Sequence, residues 1–188
     1  MTLYSIILFL HVAAVLCLFA SLSFEVLALF HLRRASDLSD VHQWIDPVPG
    51  VPFLAIGSIF VVLLSGTYLA MRMSALGLAW PKVALVALLV IAPFGALTGK
   101  RMRAIRRSSG EASTMKSDLL RRVQDPFLKI SLSIRIVVFF GIVLLMAAKP
   151  ELWQSITIVV CSVILGLLLA LLAWRQTGPL PARGEIQG

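Results

Sequence analysis

Charged side chains are scarce in this chain of 188 residues: they make up 14% of it, and only nine residues are Asp or Glu. A soluble domain carries about 25% charged residues, because its surface must face water. Here hydrophobic residues make up 59% of the chain and fall into long runs, which give a mean hydropathy of +0.95. The composition therefore excludes an ordinary soluble domain and predicts a helical membrane protein.

Cysteine and histidine are also rare. Cys17 and Cys161 each lie inside an apolar run, and the three histidines, His11, His31 and His42, are widely spaced. A zinc site or a disulfide framework needs several such residues in close spacing, so neither is indicated. Both thiols are expected to be buried and to act as small hydrophobic groups. The motifs of common soluble enzymes, such as GxSxG and HExxH, are absent as well.

The net charge of the chain is nevertheless +8. In a soluble protein this balance would suggest a nucleic-acid partner. Here Lys and Arg cluster beside apolar segments, as they do at the cytoplasmic ends of membrane spans. No aromatic residues alternate with them in the manner of single-strand-binding proteins. The partner indicated is the lipid bilayer, with a second copy or another membrane protein as a further alternative, and not nucleic acid.

Five apolar segments are long enough to cross a bilayer, which takes about 20 residues of helix. They predict one all-α transmembrane bundle forming a single domain, 1–175. The longest connection, 100–126, is basic, and its part 112–124 has helix-forming composition. The tail 176–188 contains several Pro and Gly residues and is expected to be disordered. The predicted spans are 3–32, 51–71, 81–99, 127–148 and 152–174.

The basic residues also predict an orientation. If the connection 100–126 is cytoplasmic, twelve Lys and Arg residues of the connections and the tail lie on that side. The opposite side then has only Arg72, Lys82 and Lys149. By the positive-inside rule, this asymmetry predicts an external amino terminus and a cytoplasmic carboxyl terminus. The expected location is the inner membrane of a bacterium.

His11 and Glu25 interrupt the first apolar run. On a helix they lie within about 40° of each other and roughly 21 Å apart along the axis. Ala13, Cys17 and Ser21 lead in steps of four residues to Glu25. Small residues at this spacing allow another helix to approach closely. The sequence therefore predicts that this face of the first helix points into the bundle.

Arg135 of the fourth span is the predicted partner of Glu25. Both residues lie seven or eight residues from the cytoplasmic end of their spans. A charged residue without a partner costs at least ~3 kcal/mol in a membrane, and a bidentate Arg–carboxylate pair is well suited to such a place. The pair either fixes the register of the helices or takes part in proton or ion handling.

His11 and Lys82 carry a resemblance to a known family. The first span has a Leu-His pair, Leu10-His11, near its outer end, and Trp80-Pro81-Lys82 stands at the head of the third span. Over residues 3–99 this pattern resembles the haem-binding protoporphyrinogen-oxidase-like membrane proteins and the related copper-resistance D group. The first span is also similar to an uncharacterised family of small bacterial integral membrane proteins. The resemblance implies bound haem b, with His11 as the haem-associated histidine and Lys82 as the functionally required lysine.

Three functions follow from these observations. The first is a small bacterial membrane bundle with a structural or partner-subunit role and no catalytic residues of its own. In this case His11 forms a hydrogen bond to a neighbouring helix, and Lys82 extends to the membrane interface. The second is a haem-b-associated redox protein, and the third is a subunit of a small-solute or ion transporter, in which Glu25 and Arg135 act together.

Overall fold

The computed structural model describes residues 2–34, 50–109 and 126–175. In this part of the chain there are five α-helices, one short 3₁₀ helix (Ala75–Gly77) and no strand. Each α-helix contains a stretch long and apolar enough to cross a membrane. The predicted fold class, an all-α bundle of about five membrane spans, is confirmed. The helices are α1 (Leu3–Arg34), α2 (Val51–Arg72), α3 (Ala79–Ser109), α4 (Pro126–Ala148) and α5 (Leu152–Arg175).

The helices begin and end within two residues of the predicted spans at every terminus but one. The exception is α3: its predicted membrane span ends at residue 99, close to the observed end of the apolar stretch at Lys100, but the helix continues to Ser109. The extension contains Lys, Arg, Met and Ala, which favour helix, and it has no Gly or Pro to end the helix earlier. The predicted helical segment 112–124 and the disordered tail 176–188 lie outside the described residues. The single domain and the orientation of the termini stay predictions.

The five helices form two groups. α1 packs along α2, and α4 packs along both α3 and α5. The groups meet along a narrower interface, chiefly between α1 and α4 and between α2 and α3. Buried apolar side chains from α1 to α4 form the core at this interface: Ala14, Val62, Ala84, Ala87, Leu88, Val138, Ile142 and Leu145.

The interface between α1 and α2 follows a seven-residue repeat. Ser21 of α1 donates a hydrogen bond to the carbonyl of Val51 at the start of α2 (3.2 Å), and His11, earlier in α1, contacts Ser65, later in α2, so the helices run antiparallel. Buried positions on both helices recur in alternating steps of three and four residues. Glu25 occupies one position of this pattern on α1 and is half-buried. This spacing keeps two α-helices in contact along their length when they wind around each other in a left-handed supercoil. The buried positions are His11, Ala14, Leu18, Ser21 and Ala28 on α1 and Ala55, Ser58, Val62, Ser65 and Leu69 on α2.

The small-residue face predicted for α1 is wrong at one position. Ser21 is buried and Ala13 is half-buried, but Cys17 is exposed on the outer surface of the bundle. Steps of four residues drift by about 40° each around a helix, because one turn takes 3.6 residues. Alternating steps of three and four cancel this drift, and the observed contact follows them.

The predicted burial of the two thiols is also wrong, because Cys161 is exposed like Cys17. The outer surface of a membrane protein faces lipid, which is as apolar as the interior. A small hydrophobic group is therefore equally stable on the face of the helix that meets lipid and on the face that meets other helices. Its apolar character does not predict which of the two it occupies.

The α4–α5 hairpin is packed more closely than α1 against α2. A Cβ atom added to Gly166 of α5 would lie 2.8 Å from the Cα of Ile134 in α4, and one added to Gly141 would meet the side chain of Ser162. Lys149, which joins the two helices, has a left-handed backbone with φ of 49°. Pro150 follows it and cannot continue the helix. The hairpin therefore brings two backbones into direct contact.

Candidate functional site

Glu25 and Arg135 form an ion pair between α1 and α4. Nη1 of Arg135 donates to Oε2 of Glu25 at 2.6 Å, and Nη2 donates to Oε1 at 3.3 Å. The side chains of Arg135 and Glu25 are 8% and 17% exposed, so both charges lie inside the bundle. The structure thus brings these two predicted site residues together. Because α1 and α4 belong to different helix groups, the pair links the two groups.

Gly95 of α3 makes room for the guanidinium group of Arg135. A Cβ atom at Gly95 would lie 3.1 Å from both Cζ and Nη2 of Arg135, which is closer than side chains normally pack. Three helices therefore build the site: α1 gives the carboxylate, α4 gives the guanidinium, and α3 gives the space. Sequence reasoning misses Gly95, for which the only signal is a glycine inside an apolar span.

His11 of α1 is bonded to Ser65 of α2. The distance between His11 Nδ1 and Ser65 Oγ is 2.9 Å, and the Ser65 hydroxyl also contacts the carbonyl of Val61, one turn earlier in its own helix. A hydroxyl has one proton to donate. If Ser65 donates it to Val61, the Nδ1–H of His11 donates to Ser65, and Nε2 of the neutral ring carries no proton. The network therefore favours one tautomer of His11.

Gly66 completes the surroundings of His11. A Cβ atom at Gly66 would lie 3.1 Å from Cε1 of the His11 ring. The adjacent Ser65 and Gly66 thus provide a hydrogen-bond acceptor and the space for the ring. The sequence shows them only as two small residues within the second span.

Thr98 and Ser131 form a third polar contact, between α3 and α4. Their hydroxyl oxygens are 3.1 Å apart, and Thr98 also donates to the carbonyl of Phe94 at 2.9 Å. Both residues are buried. Sequence reasoning does not predict this contact, because Ser and Thr are common in spans and their spacing carries no distinctive signal.

Lys82 is not part of these contacts. Its side chain is exposed near the start of α3 and makes no hydrogen bond or ion pair with the described residues. His11, in contrast, is buried against α2. The structure therefore does not join the two residues that the family resemblance assigns to haem.

The surroundings of His11 fit one requirement of a haem site but not the others. In the tautomer that the Ser65 network favours, Nε2 is unprotonated, which suits an axial ligand whose other nitrogen is held by a hydrogen bond. However, Ser65 and Gly66 pack directly against the ring. His31 lies near the other end of α1, and His42 lies outside the described residues. Among the described residues, no group of three or more His, Cys, Asp or Glu residues could hold a metal ion.

Haem binding at His11 and Lys82 therefore stays a prediction. A Soret band in protein purified from haem-replete cells, lost in His11→Ala, would support it. A featureless spectrum for both proteins would leave His11 as a residue of helix packing.

Comparison of the chain with protein-family models, with curated proteins and with solved structures found no match. The fold alone defines the class: this is a multi-pass integral membrane protein built as a bundle of α-helices. Its particular role must be argued from the geometry of its own residues.

Proposed function

We propose that the protein is a structural or partner subunit of the membrane, whose interior polar residues hold the helices in register. The observation that carries this proposal is that three polar contacts between pairs of side chains each join two different helices. Glu25–Arg135 joins α1 to α4, His11–Ser65 joins α1 to α2, and Thr98–Ser131 joins α3 to α4. In lipid, such contacts fix which helix faces pack together.

The ion pair has the largest part in this role. Its two charges neutralise each other, and the bidentate geometry restricts how α1 and α4 slide past one another. Removing one partner leaves the other charge buried and unpaired, which typically costs about 3–5 kcal/mol. Removing both charges should be tolerated far better. This contrast distinguishes a structural pair from one whose charges are needed for a reaction.

Crosslinking between the helix groups tests the proposal. The rings of Phe19 and Phe139 lie 6.0 Å apart between α1 and α4. We would replace both with Cys, in a protein whose native cysteines are Ala, and bridge them with a short bifunctional thiol reagent. The matched control is Ser21→Cys with Val51→Cys, which bridges α1 and α2 within one group.

Glu25→Gln or Arg135→Gln alone should reduce the Phe19–Phe139 crosslink strongly, while the double variant should recover it. The control crosslink between α1 and α2 should change little in all three proteins. The proposal is overturned if each single variant keeps its full crosslink. If the single variants also abolish ion flux in reconstituted vesicles, the charges serve transport instead.

The bacterial inner membrane and the external amino terminus belong to this proposal as well. The external amino terminus rests on the distribution of Lys and Arg among the connections. Labelling of an added cysteine at Thr2 by an impermeant reagent in intact cells tests the orientation. Labelling only after the cells are broken would contradict it.

A further inference from the structure

A small cleft lies beside the ion pair, where the two helix groups meet. Its volume is about 30 Å³, and residues of α1, α2, α3 and α4 line it. A cavity of about 10–15 Å³, measured with a water-sized sphere, is enough for one water molecule. The cleft therefore has room for water next to an intramembrane carboxylate. Its lining includes Glu25, Ala28, Val51, Thr98, Gly99 and Leu128.

The position of the cleft along the bundle is close to one membrane face. Val51 is the first residue of α2, and Leu128 is the third residue of α4. Gly99 directly precedes Lys100, where the apolar part of α3 ends. The cleft thus lies at the end of the bundle where α1 finishes, which is the predicted cytoplasmic end.

Its polar groups can hold water. The lining is mostly apolar, and Glu25 and Thr98 are the residues in it with polar side chains. The Thr98 hydroxyl donates to the carbonyl of Phe94 and contacts the hydroxyl of Ser131, which leaves its oxygen one lone pair to accept a further hydrogen bond. A buried water needs two or more polar partners, and these two side chains can supply them.

The ion pair itself is asymmetric. Arg135 is 2.6 Å from Oε2 of Glu25 but 3.3 Å from Oε1, so Oε1 is held more weakly. Glu25 is also the more exposed partner, at 17% against 8%. A guanidinium only donates hydrogen bonds, so Glu25 is the partner that can accept a further one, and the weakly held Oε1 is the atom with the most remaining capacity.

We propose that this cleft is a hydrated binding site through which water and small polar solutes reach Glu25 from one face of the membrane only. The site takes small hydrogen-bond donors, with water as its ordinary occupant. Hydration from one face supplies the carboxylate with a hydrogen bond and leaves the apolar core between Glu25 and His11 dry.

Cysteine labelling tests this site. Gly99→Cys places a thiol in the lining, and an added Cβ there meets no atom within 4 Å. Leu97→Cys is the matched control, since Leu97 is 47% exposed on the outer surface at a similar depth. Both variants would carry Ala at the two native cysteines. The reagent is 2-aminoethyl methanethiosulfonate, which reacts with thiolates, and thiolates form in water far more readily than in lipid.

We expect Gly99→Cys to react at least tenfold faster than Leu97→Cys. Adding Ala28→Val, which fills the cleft, should slow the Gly99→Cys reaction toward that of the control without changing Leu97→Cys. Ala28→Cys against the neighbouring Leu27→Cys provides a second, independent pair. Equal rates within both pairs would overturn the proposal.

Sidedness is measured in sealed vesicles with a thiol scavenger trapped on the inside. Vesicles of one orientation should show fast labelling of Gly99→Cys, and vesicles of the opposite orientation should show almost none. Fast labelling in both orientations would overturn one-sided access. This test is distinct from the crosslinking test, because a structural ion pair is compatible with either a wet or a dry cleft.

Discussion

The α1–α2 and α4–α5 interfaces are both antiparallel helix contacts in the same bundle, but they are built differently. Side chains in a seven-residue repeat separate α1 from α2, and a hydrogen bond between His11 and Ser65 lies inside that contact. Between α4 and α5, Gly166 instead brings the backbone of Ile134 into direct contact. Side chains can adjust to a substitution, whereas a backbone cannot. The α4–α5 contact should therefore tolerate change less well.

The largest expected effect is at Gly166. In Gly166→Ala the new methyl group would lie 2.8 Å from the Cα of Ile134, so the helices must separate. We expect a loss of about 3 kcal/mol in the free energy of unfolding, at the upper end of the usual cost of overpacking. Unfolding in mixed micelles by a denaturing detergent measures it.

Gly57→Ala is the control for Gly166→Ala, because an added Cβ at Gly57 meets nothing within 4 Å. Its stability should be equal to or slightly above that of the native protein. If the two variants lost the same free energy of unfolding, the backbone contact at Gly166 would not make the α4–α5 interface less tolerant of substitution.

A smaller loss is expected for Gly95→Ala, because the atoms it displaces belong to a flexible side chain. The new methyl group would lie 3.1 Å from the guanidinium carbon of Arg135 and push it away from Glu25. We expect a loss of about 2 kcal/mol. In an Arg135→Gln background the same substitution should cost much less, since Gln is shorter. An unchanged cost in that background would show that Gly95 does not act through Arg135.

Ser65→Ala should have a modest effect on the α1–α2 interface. It removes the hydrogen-bond partner of His11, and such contacts between membrane helices contribute about 1 kcal/mol. Thr67→Ala is the control, because the hydroxyl of Thr67 is exposed and donates within its own helix to Leu63. If both variants lose the same stability, the bond between the helices contributes nothing specific.

The smallest effect is expected for Cys17→Ala and Cys161→Ala. Both thiols face outward, so each substitution should change the free energy of unfolding by about 0.5 kcal/mol or less. Unfolding in mixed micelles measures both variants, and a loss of about 1 kcal/mol or more for either would show that its thiol packs against a neighbour.

Apolar runs and charge predicted the five helices, because length and hydropathy are local properties. The end of α3 at Ser109 was missed, since a basic segment can continue a helix beyond the membrane. Depth within the spans correctly suggested that Glu25 meets Arg135. The surroundings of the pair were not predictable, because Gly95 and Thr98 acquire their roles only when α3 packs against α4. In lipid, hydrophobicity does not separate the inner face of a helix from its outer face, as Cys17 shows.

The most direct test of the account is the coupling energy between Glu25 and Arg135. It is obtained from the unfolding free energies of the native protein, Glu25→Gln, Arg135→Gln and the double variant. We predict a loss of about 3 kcal/mol or more for each single variant. The double variant should lose much less than the sum, so that the coupling is about 2 kcal/mol or more. Losses that add to within about 0.5 kcal/mol would contradict a structural ion pair that links the two helix groups.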